Sequence, residues 1–128
     1  MIEVLKKYPK ATEVVRKHYK NLLLQNFKGE LDGPVKEYFD SQVLSDEEVA
    51  KLLKVNPFHI AHLFDEYRVH VVITIDIKKS NEDSIYFKYE IGDNVGILET
   101  SKDVSYSTRK EAEKEAVIKA FEVLNDKL

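Results

Sequence analysis

The stretch VHVVITIDI, residues 69–77, decides the fold of this 128-residue chain. Valine and isoleucine at the odd positions alternate with mostly polar side chains. A period of two residues is typical of a β-strand with one buried face, whereas an amphipathic helix repeats every 3.6 residues. The segments before Tyr67 have helical spacing, so the period changes there. This change predicts an α+β fold in which a helical first half is followed by a sheet.

Two more strands are predicted after this stretch. Residues 85–91 alternate in the same way, and a weaker third strand is expected within residues 95–106. Short polar turns separate the three segments, and such turns join only antiparallel neighbours. The sequence therefore predicts a three-stranded antiparallel meander with one buried face.

The chain ends in a predicted helix, residues 109–128, which Ser107 or Thr108 should cap. Small side chains recur on one face of this helix, at Ala112, Ala116 and Ala120. A row of alanines lets a helix axis approach its neighbour closely. We therefore expect the helix to pack across the apolar face of the meander.

The first half is predicted to be helical throughout, in segments at residues 12–28, 34–42, 46–55 and 57–67. A loop is expected at residues 29–34, where Gly33-Pro34 cannot continue a helix. Ser45 and Glu48 form a capping box before the third segment. Asn56-Pro57 supplies a cap and a first-turn proline for the fourth. We divide the chain into a helical region, 1–56, and an α-β-β-β-α unit, 57–128, expected to form one compact domain together.

Composition is that of a globular protein, with 43% hydrophobic and 34% charged residues. Cysteine is absent, which excludes disulfides, a thiol nucleophile and Cys-based zinc sites. Lys6 and Lys7 interrupt the early apolar run, so no signal peptide is predicted. Apolar stretches are far shorter than the roughly 20 residues that span a bilayer. These features predict a cytoplasmic protein without membrane association.

Charge is distributed unevenly along the chain, whose net charge is −3. Residues 1–28 hold seven basic and two acidic side chains, residues 29–66 three and nine, and residues 67–128 ten and twelve. Nucleic-acid binding requires clustered cations, because released counterions supply much of the affinity. The sequence balance therefore favours a protein partner over a nucleic acid.

The segment EVAKLLKVNPFHIAHLF, residues 48–64, resembles a helix-turn-helix. Its small and apolar anchors are Ala50, Val55, Ile60 and Leu63. Lys54 replaces the usual turn glycine, and the second helix exposes histidines and acids but no lysine or arginine. The resemblance implies nucleic-acid contacts, which would come from Lys51, Lys54, Asn56, His59 and His62.

The segment STRKEAEKEAVIKAFEVL, residues 107–124, together with three preceding strands, is similar to the double-stranded-RNA-binding domain. Thr108, Arg109, Lys110, Ala112 and Ala116 match the start of that family's last helix, whereas Glu113 replaces its third lysine. The resemblance implies that nucleic acid would contact Arg109, Lys110 and Lys114.

The ending YSTRKEAEKEAVIKAFEVLND, residues 106–126, and the opening VLKKYPKATEVVRKHY, residues 4–19, also resemble small bacteriophage or prophage proteins of unassigned role. This resemblance implies an accessory protein of a mobile element. It transfers no functional residue to the chain.

Histidines are the remaining candidates for chemistry. His59 and His62 could ligate a metal with Asp65 or Glu66, but the spacing differs from that of known zinc helices, so no metal is predicted. His18 is interpreted as a hydrogen-bonded core residue. His70 and Asp76 share a strand face, yet they lie about 20 Å apart along the strand, too far for direct contact. The chain is therefore predicted not to be an enzyme and to need no cofactor.

The exposed sheet face is the predicted binding surface. It carries His70, Val72, Thr74, Tyr86 and Lys88. Aromatic and β-branched side chains on an uncovered face suit contact with a protein. We therefore expect a small non-enzymatic binding protein that occludes a protein partner, for example as an inhibitor of host or defence machinery. The alternative is a nucleic-acid-binding regulator that uses the residues given above.

Overall fold

The computed structural model describes residues 1–26 and 43–128. Within this part, 56% of residues are helical and 15% lie in strands, which confirms the predicted α+β fold. The elements are α1 (Ile2–Lys7), α2 (Pro9–Asn26), α3 (Asp46–Val55), a 3-10 turn (Pro57–Ile60), α4 (Ala61–Glu66), β1 (His70–Ile75), β2 (Phe87–Gly92), β3 (Ile97–Thr100) and α5 (Arg109–Lys127). The predicted loop at 29–34, the helix at 34–42 and the end of the first predicted helix lie outside the described residues.

Side-chain caps begin two of the helices. The Glu48 N–H donates to Ser45 Oγ at 3.2 Å, and the Ser45 N–H donates to Glu48 Oε1 at 3.1 Å. This reciprocal pair is the predicted capping box of α3. Helix α5 is capped by Thr108, whose Oγ1 accepts from the Glu111 N–H at 3.2 Å. Of the two cap residues considered from sequence, Thr108 is therefore the one that acts.

Residues 57–67 do not form the single helix predicted from sequence. They form a 3-10 turn followed by the six-residue α4. Asn56 is extended, with φ −154°, and its side chain makes no cap hydrogen bond. Burial explains why a 3-10 turn precedes the α-helix. The tighter turn places Ile60 in the core together with Leu63 and Phe64. The second helix of the helix-turn-helix resemblance is consequently very short.

Helix α1 is absent from the sequence prediction, and α2 begins at Pro9, three residues before the predicted start. Tyr8 separates the two helices in a non-helical conformation, as expected for a residue that precedes proline. Leu5 of α1 is buried, so packing stabilises this short helix.

The sheet is the predicted antiparallel meander, in the order β1-β2-β3. Val71 pairs with Ile91 and Ile73 with Tyr89, and these side chains form or border the core. An irregularity between Ile91 and Gly92 shifts the register toward β3. Strand β1 is shorter than the nine-residue alternation, and Ile77 beyond its end is 84% exposed.

Helix α5 lies against the sheet, as predicted. All three alanines of its small-residue face, Ala112, Ala116 and Ala120, are fully buried. Phe121 meets Phe64 of α4 edge to face, with ring centres 5.5 Å apart. The core combines buried side chains from both predicted regions, including Leu5, Val15, Val49, Ile91 and Val117. Among the described helices, none is both long and apolar enough to cross a membrane.

Candidate functional site

The predicted protein-binding face of the sheet lies opposite α5. The register pairs Val72 with Glu90 and Thr74 with Lys88, on the face that alternates away from the core. Val72 is 49% exposed. Thr74 Oγ1 is buried and finds no hydrogen-bond partner among the described residues. The central pairs of this face therefore combine apolar Val72 and the Thr74 hydroxyl with one acidic and one basic side chain.

His70, at one end of this face, is held at both ring nitrogens. Nδ1 lies 2.7 Å from Asp65 Oδ1, and Nε2 lies 2.7 Å from Asn94 Oδ1. The hydrogen bond with Asp65 and then that with Asn94 raise the pKa of His70 above its usual value. Both nitrogens donate when the ring is protonated, so this histidine is a structural clamp between α4 and the β2–β3 turn.

Sequence reasoning missed this clamp. The sequence places Asp76 on the same strand face as His70. The hydrogen-bond partner of His70 in the structure is Asp65, which belongs to α4. Between them Arg68 has φ 60°, a left-handed conformation that non-glycine residues seldom adopt. The reversal of the chain at this residue brings Asp65 back over His70. The sequence contains no turn glycine that could have signalled it.

A cavity of about 630 Å³ opens at the other end of the sheet; we call it the sheet-end cavity. Its lining residues are Ile75, Asp76, Ile77, Lys78, Lys79, Lys88, Lys102 and Asp103. Lys88 belongs to the predicted binding face, and Tyr86 adjoins it with its ring centre 4.6 Å from the Lys79 amine. Four lysines and two aspartates make this concavity cationic.

A second concavity, of about 770 Å³, lies among the helices; we call it the helical groove. It is lined by Met1, Ile2, Glu3, Glu47, Ala50, Lys51, Leu53, Lys54, Pro57 and Lys114. Three lysines that sequence analysis assigned to nucleic-acid binding meet here. Lys51 and Lys54 come from α3, whereas Lys114 comes from α5. Two unrelated sequence resemblances therefore converge on one site.

The other residues assigned to nucleic-acid binding do not line this groove. Asn56 and His62 are exposed, and the His59 ring lies 6.2 Å from that of His18. Arg109 Nε donates to Glu113 Oε1 at 3.1 Å. Glu113 therefore neutralises one cation that the RNA-binding resemblance requires.

The histidines do not form a metal site in the part of the chain that the structure describes. No group of three metal-ligating side chains occurs there. His18 is half-buried, and its pKa is lowered mainly by burial and secondarily by the neighbouring His59. Within residues 1–26 and 43–128 it makes ring contacts with Tyr19 and His59, and the hydrogen bond expected from sequence is not seen among these residues.

Comparison of the chain with protein-family models, curated proteins and solved structures found no match. The resemblances to phage proteins, to the helix-turn-helix and to the double-stranded-RNA-binding domain accordingly remain predictions. The two concavities and their charges are the features from which a function can be inferred.

Proposed function

We propose that this chain is a small non-enzymatic protein that binds a partner protein, and that an amphipathic helix of the partner docks in the helical groove. The supporting observation is an apolar concavity of about 770 Å³ with lysines at its rim.

The floor of the groove is apolar and partly accessible. Met1, Ile2, Ala50 and Pro57 each keep part of their surface exposed, above the fully buried Leu53. Helix-in-groove recognition uses apolar side chains at positions i, i+3 or i+4, and i+7 of the docking helix. Side chains at this spacing would cover the exposed apolar atoms of the floor.

The rim of the groove selects the charge of the partner. The amines of Lys51, Lys54 and Lys114 form no salt bridge with any described residue. Glu3 and Glu47 also line the groove, so among its described lining residues the lysines exceed the acids by one. A docking helix with acidic side chains beside its apolar stripe therefore has the complementary charge.

Burial of the partner helix is the proposed mode of action. A helix held between α1 and α3 would be withdrawn from any other protein that recognises the same apolar stripe. Such occlusion needs no catalytic group. It agrees with the inhibitor role expected above and with the mobile-element accessory protein that the sequence resemblance implies.

A labelled model peptide tests the groove directly. The probe is a helical peptide with leucines at i, i+4 and i+7 flanked by glutamates, and binding is followed by fluorescence anisotropy. We expect saturable binding that Ala50→Phe abolishes by filling the groove. Val72→Ser, on the exposed sheet face, is the matched control and should bind normally. If Val72→Ser loses peptide binding and Ala50→Phe keeps it, the binding site is on the sheet face instead.

Site-specific photo-crosslinking tests the same proposal with natural partners. A photoreactive side chain at position 50 or position 72 would be introduced into the chain expressed in cells of its source. Adducts formed from position 50 and lost on adding the model peptide are expected. Adducts only from position 72, or none that the peptide competes for, would contradict docking in the groove.

Nucleic-acid binding is the second candidate, because Lys51, Lys54 and Lys114 converge in space. A protein that contacts six phosphates loses about 10³-fold in affinity between low and moderate salt. Mobility-shift assays with duplex DNA, single strands and duplex RNA distinguish the two functions. Tight, salt-sensitive binding that Lys51→Gln with Lys54→Gln removes would favour the nucleic acid. Weak binding that is the same for this variant and the wild type would favour the protein partner.

A further inference from the structure

The sheet-end cavity collects cations from three separate segments of the chain. Lys78 and Lys79 follow β1, Lys88 lies in β2, and Lys102 follows β3. Like charges repel, and the two aspartates of the cavity offset only part of this repulsion; the charge of Lys88 is one of the causes that lower the pKa of Asp76. In the described part of the chain none of these four amines forms a salt bridge.

The two acids of the cavity leave a cationic surplus. Asp76 is committed to the local structure, since its carboxylate accepts from the Ser105 hydroxyl and from the Lys79 N–H. The hydrogen bond from Ser105 is the main reason that the pKa of Asp76 is lowered. Among the described residues that line the cavity there are four lysines and two aspartates, an excess of two formal positive charges.

Lys102 is held in an unfavourable backbone conformation. Its φ is 55°, in the left-handed region where glycine or asparagine is usual. The Lys102 N–H donates to Thr100 Oγ1 at 3.0 Å, which supports this turn. Strained non-glycine residues concentrate at functional sites. A glycine would relieve the strain, so the presence of lysine is explained if the amine is needed in the cavity.

Neighbouring residues also position the side chain of Lys79 and the backbone of Lys88. The Lys79 amine lies 4.6 Å from the centre of the Tyr86 ring, a cation–π contact that positions the amine beside the cavity. Lys88 lies within the β1–β2 ladder opposite Thr74. Ile75 and Ile77, 49% and 84% exposed, form an apolar wall beside the charges.

From this arrangement we infer that the sheet-end cavity binds a diphosphate group. The terminal phosphoryl group of a diphosphate ester, like a phosphate monoester, carries about 1.5 to 2 negative charges at neutral pH, and lysine is a common phosphate ligand. Two linked phosphoryl groups present several oxygens to four amines at once. The surrounding volume and the isoleucine wall also admit the organic part of a diphosphate ester.

Among the residues that the structure describes, this site shares no lining residue with the helical groove. Its failure would therefore leave the proposed docking function unaffected, and each can be tested without the other.

Backbone-amide NMR at constant ionic strength tests the inference. Inorganic pyrophosphate and a nucleoside diphosphate are the probes, with phosphate and sulfate as controls. We expect saturable shifts at residues 75–79, 88 and 102–103, and weaker binding of phosphate and sulfate, which each present a single anionic group. Tighter binding of the nucleoside diphosphate than of pyrophosphate would show that the organic part is recognised, and equal binding would show that the diphosphate suffices. Shifts spread over all surface lysines, or no saturation, would overturn the site.

Two variants separate binding from folding. Lys88→Gln with Lys102→Gln should weaken diphosphate binding about tenfold or more, because charge-assisted hydrogen bonds are lost. The matched control, Lys51→Gln with Lys54→Gln, should bind as the wild type does. Lys102→Gly should raise or preserve the thermal midpoint while weakening binding, since it removes both strain and amine. Unchanged affinity in the glycine variant, or equal losses in the double variant and its control, would reject the proposal.

Discussion

Asn125 of α5 caps the first turn of α2, because its Oδ1 accepts a hydrogen bond from the Lys10 N–H at 2.8 Å. The same oxygen accepts from the Ala11 N–H at 3.2 Å. The first N–H groups of a helix have no partner within it, and α2 begins at Pro9, which has no N–H to donate. A residue 115 positions away thus supplies the missing acceptor and joins the two ends of the chain.

Asn125→Ala should therefore destabilise the protein. The expected decrease in the free energy of unfolding is about 0.5–2 kcal/mol, the usual cost of losing a side-chain cap. Urea denaturation measures it. Asn125→Asp keeps an acceptor and should lose less, and Asp126→Ala at the exposed neighbouring position should change little. Equal losses in the two alanine variants would show that the cap contributes nothing.

Gly92 permits a close approach within the β2–β3 hairpin. A Cβ at this position would lie 2.7 Å from the carbonyl oxygen of Gly96, a backbone atom that cannot rotate away. Gly92→Ala should cost roughly 1–3 kcal/mol through the forced backbone shift. At Gly96 a Cβ would meet no atom within 4 Å, which makes Gly96→Ala the control. Thermal denaturation that finds the two variants equally stable would contradict the crowded hairpin.

Ala116 lies at the contact between α5 and the sheet, with no exposed surface. Ala116→Leu should lower stability by roughly 1–3 kcal/mol, because the larger side chain has no room. Lys110→Leu, on the exposed side of the same helix, should have a much smaller effect. Both are measured by thermal denaturation. If Ala116→Leu is as stable as the wild type, the helix does not pack closely at this point.

His70 should make stability depend on pH. Hydrogen bonds with Asp65 and Asn94 raise its pKa above the unfolded value of 6.5, whereas desolvation and then the charge of Lys127 act in the opposite direction. The stabilisation is therefore complete below about pH 6.5 and is lost as the pH rises through the folded pKa.

Unfolding measured at about pH 5.5 and about pH 8 should show this effect as a larger difference between wild type and His70→Ala at the lower pH. NMR titration of the His70 ring gives the pKa directly. Asp65→Asn removes the main cause and should move that pKa back toward its usual value. A pKa unaffected by Asp65→Asn would show that the clamp does not form in solution.

Local patterns were sufficient to predict most elements. The alternation at residues 69–77 predicted β1, and the Ser45–Glu48 pair predicted the start of α3, since both signals act within a few residues. The prediction of one helix over residues 57–67 was wrong, because burial of Ile60 decides how that segment turns. Helix α1 was missed because packing, and not a local signal, stabilises it.

Sequence alone thus determined the class of fold, the order of the strands and the buried face of α5. These three features depend on hydrophobic periodicity and on short connections, and both can be recognised within a few consecutive residues. Only the tertiary structure decided which side chains meet. The cap by Asn125, the clamp at His70, and the lysines of the two concavities each join distant segments. Their meeting depends on how helices and strands pack, and on left-handed residues such as Arg68 and Lys102 that no local pattern marks.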